Sequence, residues 1–468
     1  MYRIVRVTPR VTQTDTRIPF RYGIAEMTRA PHAVVEVEIV RDGRRSRGLA
    51  AEQLPPKWFT KDPDSPYADD LAVMVDVILH AAGVAEGMSA PDAFQLWREL
   101  DRAQSDWGQA QGIPGLLSGL GTALVERAVI DAICRLEETP FADALRSGLL
   151  GLQSQIIHPE LHGHRFAPAP STHLFVRHTV GLGDPLTDAD VHDAPDHLPV
   201  SLQASLRHYG LTHLKIKTRG EAGEDIERLH RILALSREAG VTPRFTIDGN
   251  EAMTQAAQFT DWWGALSEDR ELEGALTRDL IAVEQPFART VALSDEVGRT
   301  LRAASVPVII DESDADVDSV RLAMDLGYAG GTYKGCKGVF RGIANAALVD
   351  ARGAERPTVF TAEDLATLPP LTVPQDLVVA ATLGMTHIER NGHHYFGRLA
   401  GLGPDTDDRA AAAHPDLYEE LEGRVRLRIR DGRVATESVL TAPFGLTPLL
   451  NVSALPPLTS ATATDGLI

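Results

Sequence analysis

Cysteine is nearly absent from this 468-residue chain, with Cys134 and Cys336 as its only two. They cannot staple a chain of this length and are too few for a cysteine-based zinc site, so a reducing cytosol suits it. Long apolar runs are missing too. No stretch of about 18 uninterrupted apolar residues occurs, and the opening MYRIVRVTPRVTQ lacks the apolar core of a secretion signal. The chain therefore reads as soluble and cytoplasmic. Positive charge is in deficit, since 46 Lys and Arg face 65 Asp and Glu for a net −19. Such a surface repels phosphate backbones and anionic lipid heads, which argues against nucleic acid and membrane partners. A small anionic ligand would need a local reversal of that sign.

What remains is ordinary globular composition, 43% hydrophobic and 24% charged, in a chain long enough for two domains. Residues 1–50 read as strands, with β-branched Val34, Val35, Val37, Ile39 and Val40 ahead of an Asp42-Gly43 hairpin signal. Residues 67–105 and 120–137 read as helices, so 1–150 forms an α+β unit. From about 170, short apolar strands alternate with amphipathic helices. Taking one polar residue per strand end gives 215, 248, 284, 311, 334, 363 and 389, at steps of 33, 36, 27, 23, 29 and 26 residues. With LFVRHTVGLG as a first strand the count reaches eight, and no convincing G-x-G-x-x-G turn follows any of them, which favours a closed α/β barrel over 151–402. After 402 the pattern alternates again in RVRLRIRDGRVATESVL, so 403–468 reads as returning to complete the N-terminal unit, with LPPLTSATATDGLI a loosely attached tail.

Three acids end three successive apolar strands: Asp248, Glu284 and Asp311. In a barrel those ends share one mouth, and three converging carboxylates call for a hard cation, which oxygen-only donors suit as Mg²⁺. Lys215 and Lys217 point to one face of the strand before the first acid, into the barrel interior. Their mutual repulsion and desolvation are expected to lower at least one pKa, as a general base requires. Lys334 ends the sixth strand across the mouth. Lys337 competes with it, and Glu312 competes with Asp311. A Schiff-base lyase built on Lys334 and a non-catalytic, ligand-binding protein are the rival readings.

The order K-x-K, D-x-N, E-Q-P, D-E-S and a strand-six lysine resembles the enolase superfamily, in particular the muconate lactonizing enzyme-like subgroup of the mandelate racemase/muconate lactonizing enzyme family. IPFRYG, the Asp-Gly hairpin and ALVERAVIDAICRLEETPFADAL resemble that family's capping domain, and only the tail after about 450 is unmatched. The resemblance implies a (β/α)7β modified TIM barrel under an α+β cap. It implies Mg²⁺ held by Asp248, Glu284 and Asp311, and α-proton abstraction from a carboxylate through an enediolate. Lys217 and Lys334 would be acid/base groups on opposite faces, with Lys215 beside them. The outcome would be racemisation or epimerisation, cycloisomerisation or β-elimination, in a homo-oligomer. TAED at the seventh strand end has no histidine, so the His-Asp dyad of acid-sugar dehydratases is missing. Asn250 and Glu389 are expected near the substrate, as are Tyr22, Trp58 and Phe20 from the cap loops. His387, His393 and His394 are expected in a loop, without zinc.

Overall fold

The computed structural model describes residues 1–22, 25–403 and 405–464. Three long antiparallel strands, β1 (Tyr2–Tyr22), β2 (Ala25–Arg41) and β3 (Arg44–Gln53), form a sheet in the order β3-β2-β1-β4, where β4 is Ser89–Ala90. The β2–β3 turn is the Asp42-Gly43 pair, both at positive φ (52° and 78°), the twist that a two-residue hairpin needs. Beyond β3, the short helix α1 (Pro56–Phe59) leads to three long ones, α2 (Tyr67–Ala85), α3 (Ala93–Ala110) and α4 (Gly115–Leu136). The single helix expected over 67–105 divides at Gly87, which adopts φ 85°. It restarts at Asp92, whose carboxylate accepts from Gln95 N at 2.8 Å as an N-cap. Helix α4 is buried nearly all round because β3 packs on one side and the barrel on another.

The barrel strands are β5 (His173–Val180), β6 (His213–Lys217), β7 (Arg244–Asp248), β8 (Leu280–Glu284), β9 (Val308–Ile310), β10 (Gly330–Tyr333), β11 (Val359–Ala362) and β12 (His387–Arg390). All neighbours are parallel, and β12 closes on β5 through the pairs His387–Phe175 to Arg390–His178. A helical segment joins each strand to the next, so the barrel is (β/α)7β, with the α+β cap at its N-terminal end of sequence. Among the described residues no helix is long and apolar enough to cross a membrane.

The C-terminal segment departs from the expected return to the cap, because it divides between the two units. Strands β13 (Tyr418–Leu421) and β14 (Arg424–Leu427) form a separate hairpin, and β15 (Arg433–Ala435) adds antiparallel to barrel strand β5. The described part of the tail that read as loose, residues 455–464, docks on the cap. Val11 N donates to Pro456 O at 3.1 Å and Leu458 N to Pro9 O at 3.1 Å, with Leu458 and Ala463 buried. The edge of β1, two buried apolar side chains, and Arg10 and Gln13, which donate to Leu455 O at 2.7 Å and Ala463 O at 2.9 Å, hold a segment whose composition is otherwise polar and small.

Close approach of β3 to α4 depends on Gly48. A Cβ there would lie 2.1 Å from Ala128 O and 2.3 Å from Ala132 N, both backbone atoms that cannot yield separately. Gly48→Ala is expected to lower stability by about 1–3 kcal/mol through overpacking, read as a lower midpoint in urea unfolding; an unchanged midpoint would show that the interface yields.

Candidate active site

Strand periodicity sets the geometry at the barrel mouth. Residues i and i+2 of β6 face inward together, so Lys215 and Lys217 are both buried, 1% and 7% exposed, with Lys215 the deeper. Lys217 pairs in register with Asp248, and Asp248 with Glu284, which sets charged side chains side by side on three neighbouring strands. Lys215 Nζ lies 2.7 Å from Glu284 Oε1, 2.8 Å from Glu363 Oε2, and 3.1 Å from both Glu389 Oε2 and Asp248 Oδ2. Lys217 Nζ donates to Asp248 Oδ2 at 2.5 Å. Across the mouth, Lys334 Nζ donates to Asp311 Oδ2 at 2.8 Å, and Lys337 Nζ to Asp311 Oδ1 and the Asp311 carbonyl, both at 2.7 Å.

The two lysines in competition separate clearly. Lys334 lines a narrow cavity between cap and barrel, together with Lys215, Lys217, Asn250, Asp311 and Glu389. Its ammonium lies 4.2 Å from the centroid of the Trp58 ring, a cation–π contact delivered by α1 of the cap. Lys337 instead turns behind the strand, bonding Thr332 Oγ1 at 3.0 Å and lying 3.7 Å from Asp314. Glu312 likewise points away from the cluster centre, with Asn250 Nδ2 donating to it at 3.3 Å. Phe20 and Trp58 do line the cavity, whereas the Tyr22 side chain lies outside the described residues. Glu389 sits on the floor, accepting from Thr179 Oγ1 at 2.6 Å and Asp364 N at 3.0 Å.

The expectation of a lowered lysine pKa is overturned at Lys215. Burial alone would lower it, but Glu284, Glu363, Glu389 and Asp248 outweigh that and hold the ammonium well above its ordinary value. Asp311 shows the reverse balance: burial is outweighed by Lys334 and Lys337, which keep its carboxyl well below the usual range. Glu284 is pushed well up by burial and by neighbouring Asp248 and Glu363, so the acid cluster is short of positive charge at that point. Lys334 is raised, because Asp311 outweighs its burial.

Several contributors had no role assigned from the sequence. Glu363, in the TAED that lacks a histidine, joins Lys215 and the buried Arg177 of β5. Gln285, held at φ 36°, accepts from Asp311 N at 2.8 Å and Ser313 N at 3.1 Å, tying the ends of β8 and β9 together. Glu251, also at positive φ (63°), receives Arg289 at 2.8 Å and Lys61 at 3.1 Å. Arg289 in turn donates to Phe59 O at 2.6 Å and Trp58 O at 3.0 Å, which fastens the Trp58 loop to the barrel. The histidines are not loop residues in solvent. His387 opens β12 and bonds Arg177 at 2.9 Å, and His393 and His394 sit in the short helix Gly392–Tyr395 beside His178. Burial depresses all three, His394 to about 3, so they are neutral.

For a divalent cation the donor set is right in kind. Asp248, Glu284 and Asp311 offer hard oxygens from consecutive strands, and Glu284 Oε2 is buried without a hydrogen-bond partner in the protein. In this conformation the carboxylates are turned onto lysines, and among the described residues no three His, Cys, Asp or Glu side chains converge enough to cage an ion. Asp248 and Asp311, which with Glu284 would hold such an ion, rest here on Lys217 and Lys334.

No protein-family model matches the sequence, and no curated protein matches it. Solved structures do. A mandelate racemase/muconate lactonizing enzyme from a Roseiflexus species matches with a TM-score of 0.60 at 17% identity, over 96% of this chain and 99% of that one. The 2-chloromuconate cycloisomerase of Rhodococcus opacus 1CP matches with a TM-score of 0.60 at 16% identity, over 92% and 94%. The dipeptide epimerase of Enterococcus faecalis V583, complexed with Mg and the dipeptide L-Leu-L-Tyr, gives 0.58 at 14%, over 92% and 99%. The chain has their fold, cap and barrel together.

Lys215→Met would leave four buried carboxylates around an apolar side chain. Stability at pH 7 without divalent metal is expected to fall by about 3–5 kcal/mol, measured by urea unfolding. In the wild type, Lys215 and Lys217 outweigh burial to hold Glu389 well below its usual range. The stability this contributes is present above the unfolded value near pH 4 and is lost as the pH falls through the folded one. In the variant the unpaired carboxyls gain by taking up protons, so the deficit should narrow between about pH 7 and 5. A deficit that does not change with pH would contradict the assignment.

Proposed function

We propose that this chain is an enolase-superfamily enzyme that removes the proton α to the carboxylate of a small substrate. The observation that carries this reading is the pair Lys217 and Lys334. They rise from opposite sides of the barrel into one cavity whose floor is acidic and whose roof is Trp58. Two amines facing each other across a bound acid can take a proton from one face and return one to the other. Asp248, Glu284 and Asp311 would hold Mg²⁺. When bound, the ion supplies the positive charge that stabilises the substrate carboxylate and the enediolate left after the proton departs.

The chain's own groups do the rest. Lys217, whose ammonium rests on Asp248 at 2.5 Å, would be the base on its face once it has given up a proton, and Asp248 would be one of the residues holding the ion. Lys334, under Trp58, holds the proton delivered to the opposite face, and the tryptophan excludes water from it. Lys215 stays charged by its acid partners and acts as a fixed cation beneath the substrate carboxylate, not as a base. Racemisation or epimerisation uses both lysines as proton carriers, whereas cycloisomerisation or β-elimination needs one carrier and one electrostatic partner. The mandelate racemase-like and epimerase names among the structural matches favour the isomerase class. Two buried free cysteines suit the cytosol, and a homo-oligomer is the expected assembly.

The test is solvent exchange. Wild-type protein with Mg²⁺ should wash deuterium from ²H₂O into Cα of at least one member of a carboxylate panel, including N-acyl amino acids and dipeptides. Lys217→Ala and Lys334→Ala should each lower that rate by about 10²–10⁴. For an epimerase, each variant retains exchange with only one of the two stereoisomers. Absence of both exchange and Mg²⁺ binding in the wild type would sink the proposal.

A further inference from the structure

Two parts of the cap cover the lysine cavity, and they are anchored separately. The β1–β2 hairpin brings Phe20 and Met27, and Phe20 stacks on Tyr395 with ring centroids 4.0 Å apart. Arg17, earlier in β1, pairs with Asp196 at 2.7 Å and donates to the carbonyls of Leu198, Pro199 and His394. Helix α1 brings Trp58 and is held differently. On the cap side, Lys57 Nζ donates to Asp62 O at 2.7 Å and Ser65 O at 2.6 Å. On the barrel side, among the described residues, the α1 carbonyls meet one side chain, Arg289.

Trp58 O and Phe59 O lie in the last turn of α1, where a helix offers its carbonyls no partner of its own. Arg289 Nη2 and Nη1 donate to them at 3.0 and 2.6 Å, while Nε and Nη2 also grip Glu251 at 2.9 and 2.8 Å. A guanidinium is planar and rigid, so this fork fixes the two carbonyls relative to the carboxylate. Glu251 is itself set by the barrel. Its N donates to Gln285 O at 2.8 Å, and Ala288 N, beside Arg289, donates to Met253 O at 2.8 Å. The loops after β7 and β8 therefore dictate where α1 sits. What α1 delivers reaches one lysine of the two: the Trp58 ring lies 4.2 Å from Lys334 Nζ, whereas Lys217 rests on Asp248 at 2.5 Å.

We propose that Arg289 is a positioning residue for Lys334, acting through Trp58 and therefore on one face of the site alone. The proposal rests on the two-lysine reading above. A displaced ring lets water reach Lys334 and loosens the aim of its amine, while Lys217 and the separately anchored hairpin stay in place.

The test follows deuterium exchange at Cα separately for the two stereoisomers of a substrate. In Arg289→Gln, the isomer whose exchange depends on Lys334 should slow by about tenfold or more, because misaligned groups lose rate steeply. The isomer that depends on Lys217 should exchange as in the wild type. In a Trp58→Leu background, Arg289→Gln should add no further loss, since both act through one contact. Hydroxyl-radical footprinting without substrate reads the ring directly. Trp58 oxidation should rise several-fold in Arg289→Gln, while Trp97 of α3, 6% exposed, keeps its wild-type level. This measurement needs no turnover, so it decides the role of Arg289 even where the wild type exchanges no substrate, the result that would sink the proposed function. Arg289→Lys keeps the charge facing Glu251 but loses the fork; it should show a smaller rise at Trp58, and it serves if Arg289→Gln does not fold. Unchanged Trp58 oxidation would overturn the proposal. Equal slowing of both isomers, or a matching rise at Trp97, would overturn it too, because either marks a merely structural role.

Discussion

One buried ammonium organises the mouth of this barrel. Lys215 Nζ is within 3.1 Å of carboxylates that come from or directly follow four different strands: Asp248, Glu284, Glu363 and Glu389. Each acid would be expensive to bury alone, and each is tolerable because the others' repulsion is answered by the same cation and by Arg177 beneath. The arrangement also explains the protonation pattern around it. At Glu389, Lys215 and Lys217 outweigh burial and hold the carboxylate ionised, while at Glu284 burial together with Asp248 and Glu363 outweighs Lys215 and pushes it toward the neutral form. A site poised in this way has room for one more positive charge.

The same logic ties the cap to the barrel. Glu251, on the loop that follows Asp248, grips Arg289, and Arg289 reaches the carbonyls of Trp58 and Phe59. Lys61 of the cap closes on Glu251 from the other side. Further back, Glu126 of α4 accepts from Val339 N and Phe340 N, capping a barrel helix from across the interface, and the buried Arg127 pairs with Glu52 at 3.0 Å. The loop that follows Asp248 is therefore tied directly to α1, which carries the aromatic roof.

Much of this was legible because it is local. An acid after FTI, IAV and VII, spaced as βα units are, marks strand ends without any knowledge of packing, and a K-x-K pattern on a strand states that both side chains share a face. The roles of Glu363, Gln285 and Glu251 were not legible: 363 reads as a strand end and Gln285 stands in the E-Q-P motif, but neither position says which partner its side chain meets, and nothing near Glu251 sets it apart from a solvated loop residue. They matter because closing a barrel of eight strands brings positions 215, 284, 363 and 389 to one point. At Lys215 the expected lowering of the pKa fails for the same reason. From sequence alone Lys215 sees only Lys217, whereas in the fold it sees four acids.

The amino-acid order by itself thus determined the βα rhythm, the hairpin at Asp42-Gly43, the inward pair of lysines and the three strand-end acids, because strand and helix periods are properties of the backbone. Only the tertiary structure decided which charges neutralise which, that Lys334 and not Lys337 enters the cavity, and that the polar tail docks on β1 while β15 extends the barrel sheet. Burial strengthens every charge–charge term through the lower dielectric, so the sign and strength of a site follow from which residues are neighbours in space, and those are set by closure of the sheet.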